Sequence, residues 1–259
     1  MSNLQLFNQT ITNPKTQEYL AQVLGERKPS FVSNLTALVA NNVALQECEP
    51  VSVMYSALKA TALDLPLDSN LGFAYVIPFK DNKQNKVFAQ FQIGAKGFIQ
   101  LALRSGRFKT INVAEIRKGE LKHRDLITGE ITFEALATDR EKADIIGYVA
   151  YFRLHDGFEK MLYMTSEELK AHGVKFSKTF QKGYGLWKDD FDSMASKTIL
   201  KRLLSKYAPL SVEMREAVRV DQGLLKDENN VEYVDNQPVI DEKAVAMVAN
   251  AFDAVIEKQ

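Results

Sequence analysis

The sequence has very little cysteine and histidine and no long apolar run, and each shortage removes a class of protein. Cys48 is the only cysteine in 259 residues. It can form no disulfide within the chain, and a reducing, cytosolic compartment is expected. No run of about 18 apolar residues occurs, so no membrane-spanning helix is expected. Met1 to Thr12 lacks the charged-then-apolar order of a signal peptide, so export is not expected either. His123, His155 and His172 lie far apart without zinc-type spacing, and Cys48 between Glu47 and Glu49 is no activated thiolate. Glycine-rich phosphate loops are missing too, because Ser196-Lys197-Thr198 lacks the glycines that would precede it. His123-Arg-Asp125-Leu looks like the start of a kinase catalytic loop, yet Glu130 stands where that loop needs Asn and no Asp-Phe-Gly follows. Asp189, Asp190 and Asp192 offer carboxylates to Mg²⁺, although acids at a helix start are also what the helix dipole favours.

Net charge is absent as well, with 33 Lys+Arg against 33 Asp+Glu. At face value that argues against a polyanion partner, but the neutrality is a cancellation. From Asp221 to Gln259 there are 3 basic and 9 acidic residues, so Met1 to Val220 holds the other 30 basic and 24 acidic ones, net +6 against −6. Pro78 to Arg124 alone carries 11 basic residues and three acidic ones, net +8. A basic body with an acidic tail is the pattern of a polyanion binder.

What is present is a globular composition, 46% hydrophobic, long enough to bury its own core. Apolar residues at helical spacing predict two helices between Phe31 and Leu67, separated at Glu49-Pro50 and ended by Leu65-Pro66. Two β-type runs follow, Phe73 to Phe79 and Val87 to Ile93, joined by the polar stretch from Lys80 to Lys86 as a hairpin. Gly94 to Ser105 reads as a helix. Further strands are expected at Phe108 to Ile116, Glu130 to Leu136, Ile145 to His155 and Glu159 to Met164. Thr165-Ser-Glu-Glu168 is a capping box opening a short helix, and Asp189 or Asp190 begins the longest one, to Tyr207. Val245, Val248, Phe252, Val255 and Ile256 suggest an amphipathic helix in the tail. The expected fold is α+β: a mostly antiparallel sheet with a hairpin packed against helices, a helical N-terminal part and an acidic, partly disordered tail. The expected divisions are an arm at 1–30, a core at 31–220 and the tail at 221–259.

Two helices carry the basic residues in stripes. At about 100° per residue, Gln100 and Arg104, and Arg107 if the helix reaches it, fall within ~80° of Lys96, while Phe98, Ile99, Leu101, Ala102 and Leu103 take the remaining arc. On the long helix Lys197, Lys201, Arg202 and Lys206 span ~0° to ~180°, and Leu200, Leu203, Leu204 and Tyr207 lie between ~240° and ~340°. Neither stripe contains an acid, whereas solvated faces usually mix signs. Lys80, Lys83 and Lys86 on the hairpin and Lys109 after the first stripe extend the basic set. Phe73, Tyr75, Phe79, Phe88 and Phe91 supply rings on the adjoining strands; such residues are usually core, but they also suit contact with bases.

Three blocks carry a resemblance: Phe73-Ala-Tyr-Val-Ile-Pro-Phe79; Phe91-Gln-Ile-Gly-Ala-Lys-Gly-Phe-Ile-Gln-Leu-Ala-Leu-Arg-Ser-Gly106; and Trp187-Lys-Asp-Asp-Phe-Asp-Ser-Met-Ala-Ser-Lys-Thr-Ile-Leu-Lys-Arg-Leu-Leu-Ser-Lys-Tyr207. Together, in this order, they resemble the RecT family of phage and prophage single-strand annealing recombinases, over about Phe31 to Val220. The family's Gly-Tyr-Lys-Gly block is Gly94-Ala95-Lys96-Gly97 here, keeping the lysine and lacking the ring. The resemblance implies a protein without enzymatic activity that coats single-stranded DNA and pairs it with a complementary strand. It implies no ATP, no cofactor, and Mg²⁺ only as a modulator of annealing without a defined site. It also implies rings or filaments of many copies, working in the cytoplasm of a bacterial host. DNA contact then falls on Gln92, Lys96, Gln100 and Arg104, and on Lys197, Thr198, Lys201, Arg202 and Lys206. The tail is expected to dock a phage exonuclease or the host single-strand binding protein, to compete with DNA for the basic groove, or merely to solubilise. The competing readings are a Mg²⁺-dependent nuclease built on Asp189, Asp190 and Asp192, and a basic interaction module.

Overall fold

Helix signals dominate the start of the chain, and the computed structural model follows them; it describes residues 2–221 apart from 69, 82, 83 and 137, and the backbone of 224–225 and 231–232. Helix α1 (Asn3–Thr12) opens on a capping box of Ser2 and Gln5, and α2 (Pro14–Leu24) has Asn13 as N-cap and a proline in its first turn. Helices α3 (Lys28–Ala40), α4 (Val43–Gln46) and α5 (Pro50–Ala62) follow. Pro50 sits at the start of α5, where a missing N–H costs nothing. Residues read as an N-terminal arm are packed: Phe7, Ile11, Leu20 and Leu24 are buried with Phe31, Leu35, Val39 and Val53 in one hydrophobic cluster.

The hairpin β1 (Ala74–Asp81) and β2 (Lys86–Ile93) pairs in register from Ala74 opposite Ile93 to Asp81 opposite Lys86. The strands therefore run further toward the tip than expected, leaving only 82–85 as the loop. Helix α5 seals β2 from the side. The Ser52 hydroxyl accepts from the Ala89 N–H at 2.8 Å, and the Ser56 hydroxyl donates to the Ala89 carbonyl at 3.3 Å. Both serines are buried, so these bonds answer groups that would otherwise be costly.

Helix α6 (Ala95–Arg104) is followed by β3 (Phe108–Arg117) and by β4 (Leu121–Arg124) with β5 (Ile131–Phe133) as a small hairpin. Strand β5 is shorter than the expected Glu130–Leu136, and β4 ends with His123 and Arg124. Asp125 follows the strand, and its carboxylate accepts the N–H groups of Ile127 and Thr128, so the residues after β4 form a turn. Strands β6 (Ile145–Leu154) and β7 (Glu159–Thr165) complete an antiparallel sheet of order β3-β6-β7. Helix α7 (Ser166–Phe176) opens on the Thr165/Glu168 capping box, α8 (Lys178–Gln181) and α9 (Leu186–Asp189) are single turns, and α10 (Phe191–Tyr207) has Asp190 as N-cap. Helix α11 (Val212–Val220), capped by Ser211, has no counterpart in the sequence reading.

The main core joins the two sheets through α10. Phe91, Ile93 and Phe98 meet Tyr148, Phe152, Ile199, Leu200, Leu203 and Leu204, all buried. Beyond α11 the chain returns to the hairpin, where Leu224 pairs with Gln90 and residues 224–225 pair with 231–232. Among the described residues no helix is long and apolar enough to cross a membrane. The tail helix expected at Val245–Ile256 lies outside the described residues.

Candidate nucleic-acid interface

Alternation along β2 decides what faces the cleft beside α10. Phe91 and Ile93 point into the core, so Gln90 and Gln92 point the other way, and the Gln92 amide donates to the Gln90 side-chain oxygen at 2.9 Å. Opposite them α10 presents Lys197, Thr198, Lys201 and Arg202. The resulting groove has a cavity of about 460 Å³, walled by β1, by His172 and Phe176 at the end of α7, and by Tyr184 and Trp187 around α9. Gln92, Lys197, Thr198, Lys201 and Arg202, five of the residues expected in DNA contact, thus come from two blocks far apart in sequence and line one groove.

The electrostatics differ from a plain cationic stripe. Lys197 and Thr198 are buried, not exposed, because Met194, Ala195, Ile199 and Leu200 are buried around them. Asp221, counted with the acidic tail, is fully covered; its Oδ1 accepts from Lys197 Nζ at 2.9 Å and its Oδ2 from Lys201 Nζ at 2.7 Å. The same Oδ1 accepts the Ile93 N–H at 2.9 Å, tying β2, α10 and the end of α11 together. Burial alone would raise the Asp221 pKa, but Lys197, Lys201 and the Ile93 N–H outweigh it and hold the carboxyl below its usual value. Burial depresses the Lys197 pKa in turn, with Asp221 opposing. Two ammoniums share one carboxylate, so a single excess positive charge remains at the floor. Arg202 is exposed at the rim.

The other expected contacts are spread elsewhere. Gln100 and Arg104 face a second, more open groove of about 1060 Å³ between α3, α5 and α6, beside Asn34, Asn41 and Asn70. Arg104 also has a structural task, since its guanidinium donates to the carbonyls of Leu63 at 2.9 Å and Asp64 at 2.6 Å and so closes the end of α5. Lys96 is exposed, lies over Gly72 and lines neither groove. Lys80 is exposed at the hairpin tip, Lys86 pairs with Glu49 at 2.6 Å, and Lys83 lies outside the described residues. Arg107 and Lys109 are exposed around the start of β3, away from both grooves. The Lys206 ammonium lies 5.0 Å from the centre of the Tyr207 ring.

Of the rings considered for base contact, Phe91 is core, Phe79 lines the first groove and Phe73 the second. His172, Tyr184 and Trp187 were not singled out in the sequence. The only available hints were that Trp187 is the single tryptophan and that Tyr184 stands between two glycines. His172 is held neutral, its pKa drawn down to about 4 by burial and by Arg202, Lys201 and Lys175. Cys48 is buried and its thiol pKa is pushed up to about 12, chiefly by desolvation. The three aspartates of the metal reading are otherwise engaged or apart. Asp190 accepts from the Ser193 N–H at 3.2 Å and Asp192 accepts from the Tyr148 hydroxyl. Among the described residues no group of three His, Cys, Asp or Glu side chains is placed to hold a metal ion.

Comparison with known proteins identifies the family. The model of the RecT family matches residues 29–238, which runs past the change of charge at Asp221. The chain is 40% identical over 236 residues to the uncharacterized protein YqaK of Bacillus subtilis, covering 88% of this chain and 78% of that one. It is 29% identical over 224 residues to Protein RecT of Escherichia coli, covering 82% and 78% respectively. With the family model covering most of its length, the chain belongs to the RecT family, whose members are recombination-related DNA-annealing proteins.

Proposed function

We propose that the protein binds single-stranded DNA along the groove between β2 and α10 and anneals it to a complementary strand without ATP, as an oligomeric ring or filament. The observation that carries this reading is the convergence of Gln92, Lys197, Thr198, Lys201 and Arg202, from two distant blocks, on one groove with a cationic rim. Phosphates positioned at the rim leave sequence to be read by the incoming strand, so the protein itself requires no base code. No cofactor takes part, and Mg²⁺ acts only by screening phosphates. The setting is the cytoplasm of a bacterial host, and the acidic tail serves as a docking segment for an exonuclease or a host single-strand binding protein.

The test is annealing of two labelled complementary oligonucleotides followed by energy transfer, with no nucleotide present. Faster pairing than the spontaneous reaction, and affinity that rises with oligonucleotide length, are expected. Arg202→Ala should lower the slope of log affinity against log salt by about 0.7, the value of one single-strand phosphate contact. Length-independent binding without acceleration would leave only a basic interaction module.

A further inference from the structure

We infer that the first groove is a base pocket: one nucleotide of the bound strand turns its base inward between Tyr184 and the Trp187 wall, while its phosphate stays at the Arg202 rim. The inference rests on the single-stranded DNA reading above and adds a residue to it. Tyr184 sits between Gly183 and Gly185, whose φ values of 80° and 90° are left-handed and turn the chain sharply on either side. The backbone is anchored, because the Tyr184 N–H donates to the Thr179 carbonyl at 3.1 Å, yet the residue is 54% exposed at the mouth of the groove. Trp187 is only 6% exposed and is braced by Phe180, Phe191 and His172 at ring separations of 5.8–6.1 Å. One wall is therefore firm, and a second ring lining the same groove is open to solvent, so a flat ligand can bury apolar area against both.

Charge decides which part of a nucleotide enters. At the floor Lys197 is buried and both lysines are already engaged by Asp221, so a phosphate finds its accessible cation at the rim, in Arg202. The floor instead offers the amides of Gln90 and Gln92 and the Thr198 hydroxyl, donors and acceptors of the kind that match base edges. Glutamine amides can present either group, so the pocket takes any base. The cavity of about 460 Å³ falls within the roughly 300–1,000 Å³ of pockets that enclose small ligands. Arg202, exposed at the edge, is placed for the anion.

Trp187, the single tryptophan, reports on this wall directly. Full-length protein is titrated with an oligothymidylate and with an abasic oligonucleotide of the same length and charge. Quenching of Trp187 by the thymidylate, and binding of the abasic strand weaker by about ten-fold, are expected. Tyr184→Ala should weaken thymidylate binding by about as much without changing the salt slope, and Tyr184→Phe should restore it. Equal affinity and equal quenching for the two strands would overturn the base pocket, as would an unaltered affinity in a folded Tyr184→Ala protein. Should that variant misfold, the two-strand comparison on the unsubstituted protein still decides. Failure to bind either strand would overturn the DNA reading itself, whereas binding both alike removes only the pocket.

Discussion

Asp221 is the residue whose loss the structure tolerates least. Asp221→Asn leaves Lys197 buried with a weaker partner, and removing one member of a buried ion pair typically costs about 3–5 kcal/mol. The urea midpoint should fall accordingly with an unchanged slope. His172 sets a pH dependence of known sign. Its folded pKa of about 4 lies below the ordinary 6.5, so the unfolded chain takes up a proton first as pH drops. Stability from this group is complete above about pH 6.5 and declines toward pH 4. Melting temperatures of the His172→Phe protein should be flatter over that window than those of the unsubstituted one. Around the histidine the groove holds Arg202, Lys201, Lys197 and Asp221. The basic residues in the stripes were legible in the sequence because each stripe lacks acids; their pairing was not. Asp221 is 24 residues from Lys197, Asp64 is 40 from Arg104 and Glu49 is 37 from Lys86, separations that no helical period registers.

At the level of elements, α6 depends on two glycines for its seat. A Cβ on Gly97 would come within 2.2 Å of the Phe73 carbonyl oxygen and 2.7 Å of the Ile93 side chain, and one on Gly94 within 2.2 Å of the Gly72 oxygen. Gly97→Ala should therefore destabilise the protein by about 1–3 kcal/mol through forced backbone movement, measurable by thermal unfolding. It should also weaken DNA binding by shifting Lys96. The longer elements were readable because each combines a strong period with a cap: the Thr165/Glu168 box opens α7, Asp190 opens α10, and alternation marks β1, β2 and β6. Strand β4, with four residues, and the single-turn helices α8 and α9 are too short to show a period, and Trp187 lies in α9 with Tyr184 in the turn before it. Helix α11 went unnoticed because a charged, short segment next to a composition change reads as linker.

Across the whole molecule, the change of charge and the end of the packed body do not coincide. Asp221 begins the acidic stretch by composition, yet it is buried, and Leu224 still pairs with Gln90. Truncation before Asp221 should lower the melting temperature sharply, whereas truncation after residue 232, which keeps the strand pairs, should leave it nearly unchanged. Comparing the two truncated proteins by calorimetry distinguishes loss of a core residue from loss of a tail. The resemblance in three blocks names residues that the fold distributes over more than one cleft. Both Gln92 and the Gln100–Arg104 end of the second block were expected in DNA contact, but the ten-residue helix α6 carries them to different clefts.

The position of Asp221 along the chain has a consequence for synthesis. Helix α10 is complete at Tyr207, but its buried lysine receives its counter-charge only from a residue fourteen positions later, after α11 has formed. A nascent chain that has emerged only as far as Val220 holds an uncompensated ammonium in its core, so the groove assembles after this point has left the ribosome. The floor of the groove is thereby completed late in translation, when the body that shapes it is already whole.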